Sequence, residues 1–486
     1  MVSHQLVLRG VHRGNLLKKF RFRPPQTTLQ RACPQAGLGV VGWGRIDTGR
    51  PCGSPAGAMT GGPMNVRSEG VVIVGGGAGG LELAIRLAKA GHKDVLLIDR
   101  SATHVWKPRL HELAAGFRRG EVDELDYAGL AEHWGFGFER GELADIDPEA
   151  RTLTLAEWPE DDGRVRVPGR CIGYQAVVLA IGGVTPDMGV EGVLEHALML
   201  DSEADAERLF ERFSTGLLAH RAGQRSDPFH IAIVGSGATG VELAGLLATE
   251  ARASSVAPRE CQPRVKVTLL EATDTFMPGM EDEVRQSIRK RLLNVGIDIH
   301  TEQQVSRVDR DRLTTDGGDE FPADLTIWAA GRVGPPVADS IDALATNKKR
   351  QWRVKPTLQS VDSDHVFALG DCSVIDDEPA PPTAQAASEQ AEHLAKELPR
   401  FLAGETPAPF VYEDKGTLLS LGEAGSVGEV KGWFADDVQL RGRLARAAYQ
   451  GLQRQHQFIL LGPLKGTAEA LSDVLGRSVG PRLKIH

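Results

Sequence analysis

Two stretches of this chain set glycines at the spacing that a nucleotide pyrophosphate requires. Residues 71–87 read VVIVGGGAGGLELAIRL and residues 231–247 read IAIVGSGATGVELAGLL, so Gly75, Gly77 and Gly80, and then Gly235, Gly237 and Gly240, form GxGxxG directly after an apolar run. The first glycine of such a set permits a tight turn, the second lets the backbone approach the pyrophosphate, and the third lets helix and strand pack closely. Free N–H groups and the helix dipole then favour negative charge at the helix N-terminus. An acid closes the next apolar run in each copy: Asp99 ends DVLLID, and Glu271 lies near the end of VKVTLLEA. Either carboxylate is placed to accept a ribose 2′-OH, the plain alternative being a surface acid at a strand end. A carboxylate repels a 2′-phosphate, so Glu271 favours NADH over NADPH. Two dinucleotide sites imply two dinucleotides, and hydride transfer between nicotinamide and flavin is the economical chemistry. FAD is assigned to the first site and NADH to the second.

The elements that must position these groups read as an α/β fold with two Rossmann-like dinucleotide-binding domains and a C-terminal amphipathic, membrane-associating region. Strand, glycine turn, Ala/Leu-rich helix and second strand follow one another twice. Further buried strands end in small residues: QAVVLAIGG at 175–183, IWAAG at 327–331 and HVFALGDC at 365–372. Ligands in open α/β sheets lie at the carboxyl ends of strands. That rule places Gly331 at the NADH site and Gly370 and Asp371 at the FAD site. Asp371 suits the FAD ribitol or pyrophosphate, or else caps a helix before Cys372. The expected organisation is an extension over 1–68, an FAD-binding part over 69–190, an NADH-binding domain over 191–326, a second FAD-binding part over 327–410 and the C-terminal region over 411–486.

Composition narrows the class. The net charge of −9 is uneven: residues 1–70 carry ten Lys/Arg against Asp47 and Glu69, and residues 441–486 carry eight against Glu469 and Asp473. An acidic body between basic ends argues against nucleic acid and leaves the ends free to meet an anionic surface. The five cysteines form no CxxC or CxxxxC pair, so neither a disulfide framework nor a metal site is expected. No apolar run approaches the ~20 residues needed to span a bilayer. The Gly-, Pro- and Arg-rich residues 1–68 read as disordered, either a transit segment or the product of a start codon placed upstream of Met59 or Met64.

From about Val71 onward the chain resembles the type II NADH dehydrogenases, single-subunit, non-proton-pumping NADH:quinone oxidoreductases of the two-dinucleotide-binding flavoprotein superfamily. The resemblance rests on both fingerprints and on HVWKPRLHELAAG (104–116), WAAG, FALGD, PPTAQAASEQ (381–390), KGTLLSLG (415–422) and the ending RLKIH. It implies FAD, NADH and a membrane quinone, with a place on the cytoplasmic face of a bacterial inner membrane. The family's AQxAxQ motif, associated with the flavin and quinone pocket, falls on Ala384–Gln385–Ala386–Ala387–Ser388–Glu389. Gln385 carries over to catalysis and Ala386 to the flavin ring, while Glu389 departs from the usual second glutamine. The resemblance also implies that Lys107, beside Trp106 and Pro108, lines the flavin side. Glu242 and Lys415, in matching motifs, are the candidates to relay protons or orient the ring, their bland readings being a helix-surface carboxylate and a turn lysine. His111 reads as a partly buried structural histidine.

Near the C-terminus, Leu444, Ala447, Ala448, Gly451, Leu452, Phe458 and Ile459 recur at helical spacing, while Arg443, Arg446, Gln450, Gln453 and Arg454 fall mostly elsewhere. A basic amphipathic helix of this kind suits an interfacial anchor on anionic lipid over 441–486. Packing on its own domain, or a homodimer, gives the same periodicity. Two rival activities share the architecture: a sulfide:quinone oxidoreductase, for which Cys171 and Cys372 are the candidate cysteines, and an NADH-binding flavoprotein sensor with little turnover.

Overall fold

The computed structural model describes residues 67–117, 125–159, 164–222, 227–253, 265–431, 438–441, 451, 454–463 and 465–467. The readings for residues 1–66, for Cys33, Cys52 and Cys261, and for most of the tail, including RLKIH, lie outside these residues.

The first sheet is centred on Arg67–Val74, which pairs in parallel with Val95–Asp99 on one side and Arg170–Leu179 on the other. Gly137–Arg140 extends it beyond Val95–Asp99, and Val366–Ala368 returns to pair with Arg170–Leu179. Thr152–Leu155 and Leu143–Asp147 add an antiparallel edge. The central strands are covered on both faces, which explains their unbroken apolar runs: Val72, Ile73, Leu97, Val177 and Val178 have no exposed surface. The second sheet has five parallel strands in the order Ala197–Leu198, Leu325–Trp328, Phe229–Val234, Val265–Leu270 and Ile297–His300. Because Leu325–Trp328 belongs wholly to it, the chain returns to the first sheet after Trp328, later than the boundary at 326 expected from sequence. The first strand likewise begins at Arg67, before the expected 69.

The helix Ala384–Leu402 starts where Thr383 accepts the Ala386 N–H. It packs against the first fingerprint helix Ala78–Lys89, so closely that a Cβ on Gly79 would come within 2.9 Å of the Ala387 carbonyl oxygen. The three-stranded antiparallel sheet Gly416–Ser420, Ser426–Val430 and Val438–Arg441 buries Leu419, Leu421 and Val427 in the core of the second sheet. The region from 411 therefore opens with a packed module, a correction to its reading as membrane-associating throughout. Beyond it, residues 454–463 are helical, with His456 and Leu460 turned inward and Phe458 37% exposed. No helix among the described residues is long and apolar enough to cross a membrane.

Candidate active site

Both glycine turns have the same construction. Gly75 and Gly235 each adopt φ +105°, a conformation that side chains disfavour. A Cβ on Gly80 would sit 1.9 Å from the Gly75 oxygen, and one on Gly240 would sit 2.2 Å from the Gly235 oxygen. The middle glycines differ from these: nothing lies within 4 Å of a Cβ on Gly77 or on Gly237. Open space stands over the second glycine and solid packing under the first and third, the form of a cradle for a pyrophosphate on a helix N-terminus. The residues present thus fit two dinucleotides.

The two acids point back into their own cradles. Asp99 Oδ2 accepts the Gly76 N–H at 2.6 Å and its Oδ1 accepts the Ser101 N–H at 2.7 Å. Glu271 Oε2 accepts the Ser236 N–H at 3.0 Å and the Ser236 hydroxyl at 2.6 Å, while Oε1 accepts from Thr273. Desolvation opposes ionisation of Glu271, but the donors of Ser236 and Thr273 outweigh it and hold the carboxyl below its usual range. Glu271 is therefore an anionic acceptor at neutral pH.

Between the sheets, Arg332 follows Gly331, which has φ +79°. Its Nη1 donates to Asp201 Oδ1 at 2.9 Å and to the Gly183 carbonyl at 3.2 Å, and its Nε lies 3.5 Å from Asp371 Oδ2. Lys107 is exposed as a residue, with its ammonium near Arg332, Asp201 and Asp371. Desolvation first, then Arg332, lowers its pKa, and Asp201 and Asp371 act in the opposite sense. Asp371 does not cap a helix, since the single turn Gly370–Cys372 has Leu369 at its N-cap. Gly370, at φ +73°, donates its N–H to Gln390 Oε1 at 2.7 Å. Gln390, 4% exposed, thus locks the helix Ala384–Leu402 onto this turn.

At the start of that helix, Gln385, Glu389 and Lys415 meet. Lys415 Nζ lies 2.8 Å from Glu389 Oε1, to which Gln385 Nε2 also donates at 3.2 Å. Glu389 Oε2 accepts the Glu413 N–H at 3.2 Å. Glu242 stands elsewhere. It is buried, its Oε1 accepts the Ser420 N–H at 2.9 Å, and its Oε2 lies 3.7 Å from His111 Nδ1. The helix-surface reading of Glu242 is thereby overturned, and His111 is fully rather than partly buried. Lys415 immediately precedes the strand Gly416–Ser420, which puts it about 16 Å from Ser420 at the strand rise, so the two titratable candidates form separate centres.

A family model for pyridine nucleotide-disulphide oxidoreductases matches residues 69–391. The type II NADH:quinone oxidoreductase of Haemophilus influenzae is 35% identical over 443 residues, covering 86% of this chain and 100% of that relative. The chain belongs to the type II NADH:quinone oxidoreductases. A namesake from Staphylococcus aureus is 26% identical, over 74% of this chain and 90% of its own. Among solved structures, NDH2 of Plasmodium falciparum in complex with NADH has a TM-score of 0.72 at 17% identity, covering 86% of this chain and 100% of that one. The sulfide:quinone oxidoreductase of Aquifex aeolicus scores 0.66 at 19% identity, covering 86% and 96%. These two likenesses show the shared fold.

Within this type II NADH:quinone oxidoreductase, two site residues escaped the sequence reading. Gln390 lay inside the quoted motif without a role, and only its reach to Gly370 reveals one. Glu389 registered as a departure from the family motif, whereas the fold makes it the acceptor that faces Lys415. Of the cysteines, Cys171 and Cys372 fall among the described residues, both buried and free. Cys372 Sγ donates to the Leu179 oxygen at 3.4 Å, at the end of the strand that Cys171 nearly begins. Eight residues of strand separate these two positions by about 26 Å. Burial, above all, pushes the Cys372 thiol up to about 12, so its thiolate is scarce at neutral pH.

Proposed function

We infer that the enzyme passes a hydride from NADH to FAD and then two electrons to a membrane quinone, without pumping protons. The observation that carries this reading is the pair of matching glycine cradles, each with its own inward-facing acid. FAD, when bound, supplies a carrier that accepts a hydride from one partner and releases two electrons to another. The first cradle, with Gly75, Gly77, Gly80 and Asp99, holds FAD, and Lys107, Gly370, Asp371 and Ala386 line its course. The second, with Gly235, Gly237, Gly240, Glu271 and Gly331, holds NADH. Arg332 keeps Asp201 and Asp371 in fixed relation where the two courses converge. Gln385, Glu389 and Lys415 serve the quinone end: the Lys415 ammonium lies 2.8 Å from the Glu389 carboxylate, a donor for one proton beside an acceptor that can take a further proton from solvent and pass it on. Buried Glu242, with His111, fixes the second fingerprint helix to the strand Gly416–Ser420 and supports the cluster from that strand's far end. The sulfide reading loses its reagents, since Cys171 and Cys372 stand far apart and Cys372 resists ionisation.

Steady-state NADH oxidation by purified protein tests the activity. Rates that rise with short-chain ubiquinone support it, and rates indifferent to quinone favour the sensor reading. Glu271→Ser removes the acceptor for the ribose hydroxyl and the charge that repels a 2′-phosphate. Loss of one hydrogen bond to a charged group, worth ~1.5–3 kcal/mol, predicts a fall of at least about tenfold in the kcat/KM ratio of NADH to NADPH. An unchanged ratio would leave Glu271 a structural residue of its loop.

Quinone is met in the bilayer, and residues 441–486 are the proposed contact with it, at the cytoplasmic face of the inner membrane. Support comes from the inward His456 and Leu460 and the outward Phe458, together with the basic excess of this segment. The protein is expected to float with vesicles containing anionic lipid and to be released by high salt. Flotation that persists after deletion of 441–486 would place the contact elsewhere.

A further inference from the structure

A line of buried polar groups outside the cleft joins the tail to the first fingerprint. His104, His456 and Glu82 are 2%, 4% and 1% exposed. His104 Nδ1 lies 2.8 Å from the Gly76 carbonyl oxygen, His104 Nε2 lies 3.1 Å from His456 Nε2, and His456 Nδ1 lies 2.6 Å from Glu82 Oε1. Each of these three contacts needs one proton. The carbonyl only accepts, so the first proton belongs to His104 Nδ1. Two neutral imidazoles and a carboxylate bring two protons to three contacts. Without a third, either two ring lone pairs face each other or a ring lone pair faces the carboxylate, with all three side chains buried from solvent.

We propose that His104, His456 and Glu82 hold one proton in common, and that this proton latches the helical residues 454–463 onto the loop of the FAD fingerprint. His456 and Glu82 are on this account positioning residues for the FAD cradle: the line ends on the carbonyl of Gly76, whose N–H is held by Asp99 at 2.6 Å. Trp106, the neighbour of Lys107, stacks on the His456 ring with centroids 3.7 Å apart, which ties the tail to the cleft wall a second time. The tail backbone is caught as well, since the Leu460 oxygen accepts Trp134 Nε1 and the Ile459 oxygen accepts Lys89 Nζ, both at 2.8 Å.

The groups facing the trio from each packed element leave the proton count unchanged. On the first fingerprint helix, Arg86 Nη2 lies 3.6 Å from Glu82 Oε2. Lys89 has its pKa lowered by burial first and then by Arg86, and it still donates to Ile459 when neutral. On the helix Ala384–Leu402, the Ser388 hydroxyl donates to Glu82 Oε2 at 2.6 Å and Glu392 pairs with Arg86 at 3.5 Å. The Tyr127 hydroxyl donates to the Gly76 oxygen at 2.7 Å, and burial holds that phenol protonated. Burial, with His456 next, depresses His104 to about 3, so His104 is the member of the trio that stays singly protonated.

Released into water, a histidine holds no second proton above about pH 6.5. Docking the tail above that pH therefore takes up one proton, and the docking constant falls by up to about tenfold per pH unit as the pH rises. Hydrogen exchange of the FAD-loaded enzyme reads this directly, by mass spectrometry of the peptide spanning 454–463 and after correction for the intrinsic pH dependence of exchange. Protection in the wild type is expected to fall with rising alkalinity. In Glu82→Gln it is expected to stay flat: the amide donates to His456 Nδ1, His456 Nε2–H donates to His104, and all three contacts are filled without a shared proton. Flat protection in the wild type overturns the proposal whatever the variant does. A Glu82→Gln profile as steep as the wild type overturns it too, because pH would then act elsewhere on the tail.

Discussion

Gly77→Val is expected to give a folded protein that carries no flavin. A Cβ at this position meets nothing within 4 Å, and the residue has φ −66° and ψ −165°, which valine adopts without strain. The protein around it therefore has no reason to change. The added isopropyl group occupies the place where the backbone must approach a pyrophosphate, and close approach is the reason for a glycine there. Purification should yield protein with wild-type far-UV dichroism and a loss of most of the flavin absorbance, a decrease of at least about tenfold in bound FAD for a contact worth more than 1.4 kcal/mol. The matching change Gly237→Val should keep the flavin and lose its bleaching by NADH. If Gly77→Val retained full flavin, or Gly237→Val lost it, the assignment of the two cradles would be wrong.

Lys415→Ala should separate the two half-reactions. Lys415 is 58% exposed, and its partner Glu389 is 16% exposed. A pair this open contributes only ~0–1 kcal/mol to stability, so the melting temperature should scarcely move. The loss should appear in turnover: reoxidation of the flavin by quinone is expected to slow by about 100-fold, the scale of general acid–base catalysis, while bleaching by NADH keeps its wild-type rate. Glu389→Gln, which keeps the size of the side chain but releases the lysine, should slow the same step. Unaltered reoxidation in both variants would remove this cluster from the quinone chemistry.

The cradles could be read from the sequence because their logic is local. Strand, turn and helix occupy about 17 consecutive residues in each copy, and the acid follows one strand later. Asp99 and Glu271 do lie at their cradles, as the spacing required. What escaped depends on chain segments distant in sequence. Glu242 is buried because Ser420, 178 residues on, delivers its N–H, and nothing near Glu242 announces that strand. Glu389 read as an anomaly because its cation, Lys415, arrives from a separate loop. His456 was not singled out within the tail, because its partner Glu82 lies 374 positions earlier. The boundary near 326 was misplaced for a related reason: the strand Leu325–Trp328 is equally apolar whichever sheet it joins, and only its pairing with Phe229–Val234 decides.

Anaerobic stopped flow on the purified, flavin-loaded enzyme, with NADH mixed first and a short-chain ubiquinone second, separates reduction of the flavin from its reoxidation. An NADH:quinone reductase is expected to show rapid bleaching of the flavin by NADH, then recovery of its absorbance at a rate that rises with quinone concentration. A flavin that bleaches and stays reduced in the presence of quinone would contradict it.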